Sequence, residues 1–93
     1  MIKSFADKRT EVLFHRAYVK GLPSDLQRIC LRKLVQIHKA RRLQDLMIPP
    51  ANRLEKLKGN RQNQYSIRIN NQWRICFCWQ QNNAYQFEIV DYH

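Results

Sequence analysis

Apolar residues follow helical spacing before residue 49 and strict alternation after residue 64. Leu26, Ile29, Cys30, Leu34 and Ile37 recur three and four residues apart, which predicts a helix with one apolar stripe turned toward a sheet. Ser24 and Gln27 have capping-box spacing, so the helix is expected to open at Ser24. Its opposite face holds Arg28, Arg32, Lys39 and Arg42, and a short helical extension from Leu43 to Met47 is stopped by Pro49 and Pro50. An earlier helix starts after Asp7, whose carboxylate can cap the next turn, carries Val12, Leu13, Ala17 and Tyr18 on one side, and ends at Gly21 and Pro23. Met1 to Phe5 alternates in part and reads as a short strand.

In the second half Tyr65, Ile67 and Ile69 alternate with Ser66, Arg68 and Asn70, so one strand buries the first set and exposes the second. A turn at Asn70 to Gln72 leads into a strand with Trp73, Ile75, Phe77 and Trp79 on one face and Arg74, Cys76 and Cys78 on the other. A second turn, Gln80 to Asn83, precedes a strand in which Tyr85, Phe87 and Ile89 alternate with Gln86, Glu88 and Val90. The expected class is α+β: a short N-terminal strand and two helices packed on an antiparallel sheet that ends in a three-stranded meander. With no linker, repeat or low-complexity stretch, residues 1–93 read as one domain.

Composition adds the nature of the partner. Seventeen Lys plus Arg against seven Asp plus Glu give a formal charge of +10, while 44% hydrophobic residues and ten aromatics supply a core. A small domain that tolerates this self-repulsion is built for a polyanion or an acidic partner: nucleic acid, an anionic membrane or an acidic protein. No apolar run approaches the roughly 18 residues of a membrane span and the opening residues lack a signal-peptide core, so the expectation is a cytoplasmic protein with no membrane partner. Cys30, Cys76 and Cys78 are odd in number and lack CxxC spacing, which points to neither a disulfide framework nor zinc. No metal or cofactor is expected, since zinc, Walker and G-x-S-x-G motifs are absent from the sequence.

Between Lys39 and Arg74 stand nine Lys plus Arg and two acids, so most of the net charge belongs to the middle third. Arg53, Lys56, Lys58 and Arg61 lie in the segment entering the sheet, and Arg68 and Arg74 share the strand face opposite the aromatic one. Guanidinium forks at this density suit phosphate contacts; a solvated basic surface is the plain alternative. Asp91, Tyr92 and His93 follow the last strand, next to the one carrying Arg74, and Tyr or His can move protons at a ribose hydroxyl or a leaving oxygen. Nearby cations would favour a neutral imidazole and stabilise charge growing on a phosphoryl group. His15 and His38 lack ligand spacing. Cys76 and Cys78 face the same side as Arg74, where filling space is the simpler role.

The opening MIKSF, the segment Leu54-Glu55-Lys56-Leu57-Lys58-Gly59, the strand pair YSIRIN and QWRICF, and the ending VDYH together resemble the HigB group of bacterial toxins in the RelE/ParE superfamily, over essentially the whole chain. The resemblance implies a RelE-like fold and a metal-independent, ribosome-dependent endoribonuclease that cleaves translated mRNA. It also implies a helix-turn-helix antitoxin of the HigA type, with operator DNA contacted only through that antitoxin. Lys58, Arg74, Asp91, Tyr92 and His93 match the family's functional positions, leaving Arg53, Lys56, Arg61 and Arg68 as RNA-binding or phosphate-binding residues. Glu55 stands where several relatives have histidine and Asn70 where they have arginine, and Arg68 is placed to compensate for the missing cation. A ParE-like gyrase inhibitor and a weakly active toxin that mainly binds its antitoxin are the alternatives.

Overall fold

The computed structural model describes residues 1–91. Asp7 caps α1 (Lys8–Phe14), its carboxylate accepting from the Arg9 amide at 2.9 Å. The helix is shorter than its apolar pattern predicts. Arg16 takes a positive φ of 66° just past the end, so Ala17 and Tyr18 lie beyond the helix and are exposed. Helix α2 (Ser24–Lys39) buries Leu26, Cys30, Leu34 and Ile37, as its spacing predicts. The capping box does not form, because Gln27 is buried and tied to the preceding loop. It donates to the carbonyls of Val19 at 2.8 Å and Leu22 at 2.7 Å, and accepts from the Val19 amide at 2.9 Å. A 3-10 turn spans Leu43–Met47, where helical extension was expected.

The sheet has four antiparallel strands in chain order, one more than the alternation reveals: β1 (Glu55–Lys56), β2 (Gln64–Arg68), β3 (Trp73–Gln80) and β4 (Asn83–Asp91). Two-residue β1 is too short for a periodicity. Residues 1–5 form no strand of this sheet; instead Ile2 and Phe5 make isolated parallel bridges to Ala84 and Phe87 of β4. At the β3–β4 turn Gln81 and Asn82 both have positive φ, the conformation of a tight two-residue hairpin. At the β2–β3 turn the Asn70 side chain accepts from the amides of Gln72 at 2.8 Å and Trp73 at 2.9 Å, so Asn70 closes the hairpin.

One face of the sheet meets the helices, with Ile67, Ile69, Ile75, Phe77, Phe87 and Ile89 joining the α2 stripe in a single core. An irregular register between Cys76 and Cys78 and a positive φ at Gln86 mark a bulge in the β3–β4 ladder. It corrects the alternation expected for β4, since Ala84 takes a fully buried position and Tyr85 pairs with Cys78. Fully buried Thr10 fastens α1 to β4 by accepting from the Ile89 amide at 3.1 Å, and the Arg9 guanidinium donates to the Ile89 carbonyl at 3.2 Å. The functional candidates lie mostly on the sheet face opposite this core.

Candidate functional site

The ladder register sets out that second face. Glu55, Ser66, Cys76 and Glu88 form a row across all four strands, and the next row pairs Arg68 with Arg74 and Arg74 with Val90. The expectation that this face is open holds only in part, because Ser66 and Cys76 are completely buried and Arg74 is 8% exposed. The cover comes from the segment that enters the sheet. Asn52, also completely buried, donates to the carbonyls of Leu46 at 3.1 Å and Ile48 at 3.3 Å and accepts from Lys33. Burial pushes the Lys33 ammonium below its usual pKa. Next to Asn52, Arg53 adopts a left-handed conformation (φ 47°, ψ 55°) that turns the chain into β1.

That turn presents the Arg53 carbonyl to Arg74. The Arg74 Nη2 donates to it at 2.7 Å and to the Ser66 carbonyl at 3.4 Å, Nε donates to Ser66 Oγ at 2.8 Å, and the Glu55 carboxylate lies 3.8 Å from Nη2. Arg74 is therefore oriented from several sides, with Glu55 more than half exposed beside it. The Arg68 opposite turns away, donating to the Asn70 carbonyl at 3.2 Å and to the Asn71 side chain. This relieves the juxtaposition of two like charges on paired strands. It also commits Arg68 to the hairpin.

A second guanidinium crosses the same face. Arg61 ends the 3-10 turn Gly59–Arg61, and its Nη1 donates to Glu88 Oε1 at 2.9 Å and Gln64 Oε1 at 3.2 Å. Gly59 supplies the φ of 68° that this turn requires, directly after exposed Lys58. Lys56 and Lys58 join Glu55, Leu57 and Arg61 around a shallow concavity of about 380 Å³. Cys76 sits amid these charges. Burial pushes its thiol pKa up; Arg61 and Arg74 act against the rise and Glu88 and Glu55 add to it. A buried thiol so disposed stays protonated near neutral pH, as a space-filling role requires.

The structure thus gathers Lys56, Lys58 and Arg61 around one hollow, Arg74 with the Arg53 backbone nearby, and Arg68 at the hairpin. Asp91 pairs with Trp73, so it follows the other face of the sheet, where its carboxylate accepts from the Gln72 side chain at 3.1 Å. Tyr92 and His93 lie outside the described residues. Two functional candidates escape a reading of sequence alone: Glu55 as a partner of Arg74, and Glu88 as a partner of Arg61. The signal for Glu88 was its alternation with Phe87 and Ile89, but only the register places it across from Cys76. Among the described residues no group of three or more His, Cys, Asp or Glu is disposed to hold a metal ion. No helix among them is long and apolar enough to cross a membrane.

Residues 3–93 match the family described as the RelE-like toxin of the type II toxin-antitoxin system HigB. The chain is similar to Toxin HigB-1 of Vibrio cholerae serotype O1, 38% identical over 84 residues that cover 85% of this chain and 84% of that protein. It is also similar to the Endoribonuclease HigB of Proteus vulgaris, 36% identical over 94 residues and the whole of both chains. Among solved structures, a chain of the heterotetrameric YoeB-YefM toxin-antitoxin complex from Staphylococcus aureus shares the fold. The TM-score is 0.62 at 20% identity, over 100% of this chain and 95% of that one.

Proposed function

We propose that this chain, which belongs to the HigB-like family of RelE-type toxins of type II toxin-antitoxin systems, is an endoribonuclease that cuts messages while they are being translated and so inhibits protein synthesis. Its partner is an antitoxin, which we take to be a helix-turn-helix protein of the HigA type. The ribosome and its mRNA are the cytoplasmic target. Operator DNA is reached only through the antitoxin.

The observation that carries the reading is the second face of the sheet, with Arg74 oriented on it and exposed Lys58 at a concavity shared with Arg61. In the reaction the ribose 2′-oxygen attacks the adjacent phosphorus, a cyclic phosphate forms, and the bond to the 5′-oxygen of the next nucleotide breaks. The 2′-OH loses its proton and the departing oxygen gains one. Lys58 and Arg74 offset the extra negative charge on the phosphoryl oxygens, and donors already held in place give this stabilisation without reorganising. His93 transfers protons, aided by Tyr92 and Asp91, while Arg53, Lys56 and Arg61 grip neighbouring phosphates and Arg68 stays with the hairpin.

The test is the mapping of new 5′ ends in translated frames after induction of the wild type, His93→Ala and Lys58→Ala. Loss of one charge-stabilising group is expected to slow cleavage on the order of 100-fold to 1,000-fold. Unchanged cleavage in both variants would overturn the site assignment. A wild type that arrests growth without any new 5′ ends would overturn the nuclease reading itself.

A further inference from the structure

From the geometry of Arg61 we infer a second phosphate seat, one nucleotide away from the scissile phosphate, in which Arg61 is the binding residue and Glu88 the positioning residue that holds it. The inference rests on the endoribonuclease reading above and adds to it which phosphate Arg61 takes and what sets its reach.

Arg61 belongs to the short turn after β1, at one edge of the sheet, and Glu88 to β4, at the other edge. Their 2.9 Å contact shows that the turn brings the Arg61 guanidinium over the face as far as β4. Gln64, accepting at 3.2 Å, supports the same nitrogen from β2. The two partners fix the direction of the guanidinium, while its flank forms part of the concavity shared with Lys56 and Lys58. Along β3, Glu88 is opposite Cys76, two positions from Arg74. At the usual rise this is a step of about 7 Å along the strand, which sets the Glu88 contact apart from Arg74 on the same face.

A carboxylate on a face built for RNA would ordinarily repel it. Here Glu88 and Arg61 are each about one-third exposed and joined to one another, so the carboxylate's charge is offset where it stands. What it supplies is order. A free arginine must give up its rotamer freedom when it grips a phosphate, and one already held has given it up on folding. This predicts that Glu88 acts on binding through Arg61 and has no part in bond breaking.

The experiment uses ribosomes programmed with a short message carrying a single methylphosphonate, which is uncharged, at the phosphate on either the 5′ or the 3′ side of the scissile one. For the wild type, one of the two substitutions is expected to raise KM roughly 10-fold to 100-fold, as for a lost charge-assisted contact, and to leave kcat unchanged. Arg61→Ala should raise KM on the unmodified message and show no further penalty from the methylphosphonate, and Glu88→Ala should raise KM and show a smaller penalty than the wild type. Glu88→Gln, which keeps an oxygen for Arg61, should retain most of the wild-type KM and serves also should Glu88→Ala fail to fold. Equal methylphosphonate penalties in wild type and Arg61→Ala, or none at either position in the wild type, would overturn the second seat. A fall in kcat with KM unmoved in the Glu88 variants would overturn the positioning role. If the wild type leaves the unmodified message uncut, it is the nuclease reading that falls.

Discussion

Arg74→Ala should cost stability as well as activity, and the size of the stability loss follows from the partners the guanidinium holds. Its side chain is 10% exposed, with hydrogen bonds to Ser66 Oγ, the Ser66 carbonyl and the Arg53 carbonyl and with Glu55 at 3.8 Å. Truncation leaves these acceptors without their donor in a place water reaches poorly. Leaving the Ser66 and Arg53 acceptors unsatisfied costs about 2 to 3 kcal/mol, and Glu55, more than half exposed, adds little. For a domain of this size each 1 kcal/mol lowers the melting temperature by about 4 to 8 °C, so Arg74→Ala is expected to melt about 8 to 24 °C below the wild type. Arg74→Lys keeps the charge but not the planar fork, and should fall between the two. The assay is thermal unfolding by circular dichroism of both variants, followed by message cleavage at a temperature where Arg74→Lys is folded. There cleavage should still be reduced on the order of 100-fold, since one ammonium does not reproduce the placement of the fork. Melting of Arg74→Ala within about 5 °C of the wild type would refute the anchoring argument, and full cleavage by Arg74→Lys would refute the need for the fork.

Two other sites give independent tests. Burial, with a smaller effect from Asp7, pushes the Cys30 thiol up to about 12 from an ordinary 9.0. The folded state therefore keeps the proton longer than the unfolded chain: the stabilisation is complete below pH 9 and is lost as pH rises toward 12, about 4 kcal/mol in all. Urea unfolding between pH 8 and 11 should show a shallower alkaline decline in Cys30→Ala than in the wild type, and parallel declines would refute the assignment. Asn52→Ala removes the donor to the Leu46 and Ile48 carbonyls and the acceptor of Lys33, and should cost about 2 to 3 kcal/mol in urea unfolding. A loss below about 0.5 kcal/mol would mean that the turn into β1 is held by other contacts.

Where spacing is a direct record of burial, the sequence is readable: the α2 stripe, the inward positions of β2 and β3, and the Asp7 cap are each found as their periodicity predicts. The departures are places where a side chain serves something other than its own element. Gln27 looks like half of a capping box but bonds to the loop before α2, and Tyr85 is moved off the core face by a bulge that leaves no mark in the alternation. At the site, residue types were legible and their relations were not. The basic segment 53–61 is plain from composition, but that Arg53 contributes its carbonyl and Arg61 reaches β4 depends on chain reversals at single positive-φ residues. Asn70, where the resemblance leads one to expect an arginine, has a local cause in the turn that its side chain closes.

The two carboxylates on the basic face bear on how a chain of net charge +10 keeps its cations ready for RNA. Arg68 and Arg74 are direct partners across two strands, an arrangement that by itself drives the side chains apart. The fold answers with acceptors: hairpin atoms for Arg68, and Ser66, the Arg53 carbonyl and Glu55 for Arg74. Arg61 is drawn to Glu88 in the same way. Each of the two carboxylates weakens the long-range pull on a polyanion, a pull that salt already screens beyond about 10 Å. What it returns is a fixed guanidinium at contact distance, where interactions are strong and reorganisation is what slows a reaction. Long-range attraction then falls to cations outside these clusters, such as exposed Lys56, Lys58, Arg28 and Arg32. Neutralising that second group should lower the association rate and flatten its salt dependence with little change in kcat for Arg28 and Arg32, whereas disturbing the anchored arginines should act at the bound state.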